Sequence, residues 1–421
     1  MHLIWFYSKK NIYKLNKFEY YKICFSDLKN KWINIVYFYE EDNNIILDEI
    51  LINKINKIWV DIIPFYQEAE VINYLLQLKW KIFINTFEEQ EIRLVNRIRT
   101  NLNQVITKNP EIFLNKYLQR SIIWWVYPET VINYKLLSAE DAKIIKKTEL
   151  LKLPFIIKPT WWVQSSWVLK INNYNDYQKS LNYTLNALEK LKDKKLTDQK
   201  ILLEEFIDGD MYTIDYYVDE KQKIIKTKAI LVKLGFDYWV KDFSNIVRII
   251  SKDVENSVDE NKLNDFIKKT VIAGDIKNTF IHHEFKINSK WEFKTIETNW
   301  RIGWYRLEMY QIWYDINLWD LPFSSTKLLY ELKNNIAVFA LYPKKDWIFN
   351  WFNDKILAEI EWLKSFYRTN KWIKKIWDNI GLTKNWYGKV WSIVIFNKNY
   401  KQFKKDLEFI ENVYFEILKL K

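Results

Sequence analysis

The sequence predicts an α/β protein of more than one domain, and three observations carry that prediction. Short apolar runs of strand length alternate with segments of helical spacing. A strand ending in Lys158-Pro leads into a Ser-containing loop and a second strand. An acidic stretch over residues 280–299 reads as a hairpin around a polar turn. A chain of 421 residues has room for two or three domains, and 49% hydrophobic residues can build sizeable cores.

The elements follow in order. Leu3–Tyr7, Ile33–Phe38 and Lys81–Ile84 are apolar runs suited to buried strands, and Gln67–Leu78 has helical spacing between the last two. Residues 1–107 are therefore expected to form an N-terminal α/β domain. Residues 108–150 read as mainly helical, broken at Ile123–Thr130, where glycine in place of Trp124 and Trp125 would give a helix stop followed by a turn at Pro128-Glu-Thr130. Phe155–Lys158, Val168–Ile171, Ile201–Phe206 and Tyr212–Val218 are strand-like, and Tyr174–Leu191 is an amphipathic helix candidate. The last ninety residues add short strands and end in a helix over about Tyr400–Leu420. Division at 107/108 and 325/326 gives three parts.

Composition narrows the function classes. The net charge is +12, but Lys residues are scattered among Asn, Ile and Glu without dense blocks, which argues against nucleic-acid binding. Cys24 is the only cysteine, so no disulfide or Cys-based zinc site can form within the chain. No 18-residue apolar run and no signal-peptide pattern is present, so a cytoplasmic protein without a membrane span is expected. The sequence leaves the oligomeric state open.

Tryptophan stands where glycine is expected. The chain has 22 Trp and 6 Gly, together about 7% of the chain, which is the ordinary glycine share. The Trp residues fall in turns and loops: Lys158-Pro-Thr-Trp161-Trp162-Val-Gln-Ser165-Ser166-Trp167, Asn288-Ser-Lys-Trp291 and Asn299-Trp300-Arg301-Ile-Gly303-Trp304. We read most of these as UGA codons that mean glycine in the source. With glycine, the loop at 161–167 lets backbone N–H groups line a concave phosphate site. With three indoles, it would crowd a nucleotide out.

The hairpin offers a metal set. A turn centred on Asn288–Trp291 sets Glu284 opposite Glu297, and period-2 alternation puts Asn299 on the same face. Two facing carboxylates repel. A divalent cation relieves them, and two carboxylates with an amide suit Mg²⁺ or Mn²⁺. Arg301 shares that face and could grip a phosphate or carboxylate. His282 alternates onto the Glu284 face, while His283 points away and reads as structural. Spacing alone also allows a solvated acidic hairpin. Glu204-Glu205-Phe206-Ile207-Asp208-Gly209-Asp210 is by itself a strand and an acidic turn.

These elements, in this order, resemble the ATP-grasp superfamily. The resemblance implies the ATP-grasp fold over residues 108–325, a preceding α/β domain and a small C-terminal α/β lobe over 326–421. It implies that Lys158 and the loop with Trp161, Trp162, Ser165 and Ser166 hold ATP phosphates, with Lys116 as an earlier phosphate-binding lysine. Glu204, Glu205, Phe206 and Ile207 match the adenine hinge. Glu284, Glu297 and Asn299 match the Mg²⁺ ligands, and Arg301 the substrate-side arginine. His282 and Arg306 are the further catalytic candidates. The family's ribose-binding Glu falls at Met211, so Asp208 or Asp210 is expected to substitute. The implied reaction joins a small-molecule carboxylate to an amine through an acyl phosphate, with amino acids as the substrates suggested by residues 299–306. The alternatives are an enzyme like biotin carboxylase or glycinamide ribonucleotide synthetase, and a non-catalytic relic that binds a nucleotide or partner.

Overall fold

The computed structural model describes residues 1–6, 19–40, 53, 55, 57, 60–86, 88–161, 167–192, 198, 200–238, 243–303, 305–323, 333–343, 347–371, 379–380 and 389–420. It begins with a parallel sheet of β1 (His2–Phe6), β2 (Asn34–Glu40), β3 (Val60–Phe65) and β4 (Ile82–Thr86), in the order β3-β2-β1-β4. Every residue of β1 is buried, as expected for a central parallel strand covered on both faces. The expected strands lie within a residue or two of the observed ones, and the helix expected at Gln67–Leu78 spans Glu68–Gln77, burying Val71 and Leu75 one turn apart. The strand β3 was not anticipated. Asp61 and Pro64 interrupt its apolar run, and it lies at the sheet edge, where proline is tolerated.

Two expectations for residues 108–150 are corrected. The helix Lys116–Val126 runs through Trp124 and Trp125 without stopping, and the turn comes at Pro128–Thr130, where proline opens a 3-10 turn. The segment also contains a strand, β5 (Tyr134–Ser138). It is only half-buried because it edges a small antiparallel sheet with β6 (Phe155–Pro159), β7 (Leu169–Ile171) and β8 (Lys200–Glu205), in the order β5-β8-β6-β7. The helix Tyr177–Lys192 buries Tyr177, Leu181 and Leu188 against Phe155, Ile157, Ile201 and Leu203 of this sheet.

The second sheet contains β9 (Asp210–Val218), β10 (Ile224–Lys226), β11 (Ile230–Leu234), β12 (Asn245–Ile250), β13 (Thr279–Ile287) and β14 (Phe293–Asn299), with β15 (Asn335–Leu341), β17 (Phe366–Lys371) and β19 (Trp391–Asn397). Its main path is β14-β13-β9-β11-β12-β15-β19-β17. The boundary expected at 325/326 therefore crosses one continuous sheet, with Val247 of β12 paired to Phe339 of β15. A third small sheet joins β16 (Trp347–Phe352), β18 (Asn379–Ile380) and β20 (Leu418–Leu420). The last helix is accordingly shorter than expected. It ends at Val413, and the chain leaves through a 3-10 turn to pair β20 with β16. Among the described residues, no helix is long and apolar enough to cross a membrane.

Candidate active site

A cavity lies between the small sheet and the β9–β14 part of the large one. Ile132, Ile156, Val168, Met211, Leu234, Phe243 and Ile296 give it apolar walls. Phe206 and Ile207 line one end, after β8. Lys116, Lys158, Glu204, Glu205, Asn245, Glu284, Lys286 and Glu297 supply the polar groups.

The small-sheet side carries a buried charge triad. Lys158 Nζ of β6 is 2.6 Å from Glu204 Oε2 of β8, and Arg120 reaches Glu204 Oε1 at 3.1 Å. All three residues are at most 4% exposed. Two cations against one carboxylate leave a net positive charge beside the cavity. Burial, with Arg120 and Lys116 adding to it against the opposing Glu204, pulls the Lys158 ammonium down to about 8. Burial alone would raise the Glu204 carboxyl, but Arg120 and Lys158 outweigh it and hold it below its usual range. Glu204 is thus occupied structurally. Glu205 is exposed and accepts from Asn133 Nδ2 at 2.7 Å.

The helix Lys116–Val126 brings Lys116 to the hairpin. Asn115 caps it by accepting from the N–H groups of Tyr117 and Leu118. Lys116 N donates to Thr160 O (2.9 Å), which fixes the helix start to the end of β6. Gln119 Nε2 donates to Thr298 O (2.9 Å), and Thr298 N donates back to Gln119 Oε1 (3.0 Å), so the helix is pinned to β14. Lys116 Nζ then lies 2.8 Å from Glu297 Oε1.

The hairpin has the expected register. Glu284 pairs with Glu297 and His282 with Asn299, with a bulge after Glu284. Asn288 Oδ1 accepts from the N–H groups of Lys290 (3.0 Å) and Glu292 (2.9 Å) and shapes the turn. The facing carboxylates each have a cationic or polar neighbour: Glu297 has Lys116, and Glu284 Oε1 is 3.4 Å from His282 Nε2. Burial pushes the Glu284 carboxyl up, but His282, Arg301 and Arg306 outweigh it and the net direction is down. Asn299 is buried, and its Oδ1 has no hydrogen-bond partner. Among the described residues, no group of three or more His, Cys, Asp or Glu is arranged to hold a metal. Two facing carboxylates with an unsatisfied amide oxygen beside them nevertheless form an oxygen-only set that fits Mg²⁺ or Mn²⁺, which retains waters and phosphate oxygens as further ligands.

Arg301, His282 and Arg306 do not line the cavity wall and gather behind the carboxylates. His282 lies between Glu284 and Asp215, with Nδ1 3.1 Å from Asp215 Oδ1. Asp215 also accepts from Gly303 N (2.6 Å) and lies 3.4 Å from Arg306 Nε. Arg306 donates to Thr213 Oγ1 (2.6 Å) and is only 2% exposed. Arg301 Nη2 is 3.6 Å from Glu89 Oε1, whose carboxyl burial pushes up. His283 stacks on Phe266 in the core, as read from the alternation.

Other expected positions fall elsewhere. Asp210 is exposed at the start of β9, Asp208 accepts from Ser289 N (3.4 Å), and Met211 faces the cavity instead. Trp161 is half-buried under the Arg93 guanidinium, 5.0 Å from its ring centroid. Trp162, Ser165 and Ser166 lie outside the described residues. Lys286 was missed, although it shares the alternation of Glu284. It donates to Ile207 O (2.9 Å) and Gly209 O (3.1 Å) and fastens the turn after β8 to β13. Gly209 is required there: its φ is +78°, and a Cβ would meet Ile287 O at 2.1 Å. Gln119, Arg120, Asp215 and Glu89 left no local signal, because their partners are distant in sequence, and Asn245 left none because only the fold brings it to the cavity wall.

Residues 151–305 match the family described as the ATP-grasp domain. No curated protein sequence matches the chain. Among solved structures, it is similar to an L-amino acid ligase from Bacillus licheniformis (TM-score 0.69, 14% identity, covering 100% of this chain and 98% of that one). It is also similar to phosphoribosylglycinamide synthetase from Anaerococcus prevotii (0.59, 15%, 100% and 99%). A third is biotin carboxylase from Campylobacter jejuni with β,γ-ATP (0.62, 13%, 100% and 92%). At these identities the structures share the fold. Residues 151–305 supply most of the groups that line the cavity described above, so the match to the ATP-grasp domain falls on the site itself.

Proposed function

We propose that the chain is an ADP-forming ligase that joins a small-molecule carboxylate, most simply an amino acid, to an amine through an acyl phosphate. The observation that carries this reading is the order of groups along one cavity. Apolar walls beside Phe206 and Ile207 suit a purine, while Lys116, Lys158, Glu284 and Glu297 suit a triphosphate and its metal. In this reading the two lysines neutralise phosphate oxygens, and Glu284, Glu297 and Asn299 hold Mg²⁺ or Mn²⁺. A divalent cation held by Glu284, Glu297 and Asn299 would supply charge neutralisation for the transferring phosphoryl group. Arg301 holds the acyl group near the carboxylates, and Arg306 with His282 and Asp215 keeps Glu284 oriented. No covalent nucleophile is needed, because positioning and charge neutralisation suffice.

The test is ADP release over pairs of amino acids and amines, with hydroxylamine replacing the amine in parallel. The expected result is ADP formation only with a carboxylate substrate, and a hydroxamate when hydroxylamine is the acceptor. ADP release that needs bicarbonate, with no hydroxamate from any amino acid, would favour the carboxylase reading instead. Absence of ATP binding would favour a non-catalytic relic. The division into 1–107, 108–325 and 326–421 is kept as part of the same proposal.

A further inference from the structure

We propose that Asn245 reads the ribose hydroxyls of the bound nucleotide. The inference rests on the ATP reading of the cavity and deepens it. It follows from accounting for each polar side chain on the cavity wall. Lys116 is taken by Glu297, Lys158 by Glu204, Glu205 by Asn133 and Glu284 by His282. Lys286 is spent on the carbonyls of Ile207 and Gly209. The half-buried carboxamide of Asn245 alone has no hydrogen-bond partner among the described residues. The carboxamide is half-exposed at the cavity wall with no protein partner among the described residues, so a ligand entering there meets a free donor and a free acceptor.

Its position selects the part of the ligand. Asn245 opens β12 and pairs with Leu234 of β11. Its strand is three away from β13, which carries Glu284. The charged end of the cavity, where phosphates belong, is thus across the sheet. The base belongs against the apolar walls by Phe206 and Ile207, so the sugar is the portion left to face Asn245. The chemistry agrees: a carboxamide offers both a donor and an acceptor, and each ribose hydroxyl needs both. Neither Asp208 nor Asp210 reaches the wall to compete for this role.

Calorimetric titration of the full chain with ATP, 2′-deoxy-ATP and 3′-deoxy-ATP in Mg²⁺ tests the assignment. The native protein should bind at least one deoxy analogue about three- to tenfold more weakly than ATP, the loss expected for one uncharged hydrogen bond. Asn245→Ala and Asn245→Leu should weaken ATP to the level of that analogue and erase the difference. Equal binding of all three nucleotides by the native protein would overturn the assignment without any variant. So would variants that keep the discrimination, or that change the preference for ATP over GTP instead. If ATP does not bind at all, the nucleotide reading of the cavity fails and this assignment falls with it.

Discussion

Lys158 shows how one residue's surroundings set the chemistry available to it. A lysine in water stays charged to pH 10.5, but burial beside Arg120 and Lys116 lowers this one to about 8, even with Glu204 at 2.6 Å. Because the folded value lies below the unfolded one, keeping the proton costs stability at neutral pH. That cost disappears as pH rises through about 8 towards 10.5. Phosphate binding has the opposite preference, since it needs the ammonium. ATP affinity should therefore fall by about tenfold or more between pH 7 and pH 9.5 while the free protein does not lose stability from this group. Lys158→Arg, whose guanidinium stays charged, should flatten the profile. Calorimetry across this range checks both statements, and a flat native profile would show that Lys158 does not meet the phosphates.

The hairpin is the element in which sequence and structure agree most closely, and it also bears on the tryptophans. Alternation and a polar turn were enough to set Glu284 opposite Glu297, because both signals are local. β3 and the unbroken helix Lys116–Val126 were hidden for different reasons: strand pairing overrode Asp61 and Pro64, and the exposed Trp124 and Trp125, unlike the glycines read there, do not stop a helix. Asp215, Glu89 and Asn245 were illegible because only the folded sheet brings them to the site. The hairpin turn holds Trp291 at φ 61° with 66% exposure, and Trp32 (58°) and Trp167 (61°) share that left-handed backbone. Such a conformation disfavours a side chain by about 1 kcal/mol and suits glycine. Glycine adopts that backbone without cost, so these three positions are where the recoding idea can be tested. Trp5, Trp319 and Trp391, by contrast, are at most 2% exposed and fill the core. Trp291→Gly should raise stability by about 1 kcal/mol, whereas Trp319→Gly should lower it by about 3–5 kcal/mol or more. Chemical denaturation measures both. UGG at codons 32, 167 and 291 in the gene would end the recoding idea.

At the scale of the whole molecule, the helix Lys116–Val126 links the two walls of the cavity. Its start is tied to β6 through Thr160, and Gln119 and Lys116 tie it to β14. Without ligand, the Lys116–Glu297 pair uses one group proposed for phosphate and one proposed for metal. Either ligand alone must break that pair and leave one charge uncompensated in a half-buried site, which is costly. Both together satisfy both groups. Nucleotide and metal should therefore bind with positive coupling, in the usual range of about 1–3 kcal/mol. Ligand that binds only the folded state raises its melting temperature in proportion to occupancy. The native protein should accordingly gain clearly less from ATP with EDTA than from ATP with Mg²⁺. Glu297→Gln removes the charge that holds Lys116 and weakens the metal set. Its gain from ATP in EDTA should exceed that of the native protein, and its dependence on Mg²⁺ should shrink. Thermal melts of the two proteins under the four conditions measure the coupling directly. Equal shifts with and without Mg²⁺ in the native protein would mean that the ion pair does not gate the site.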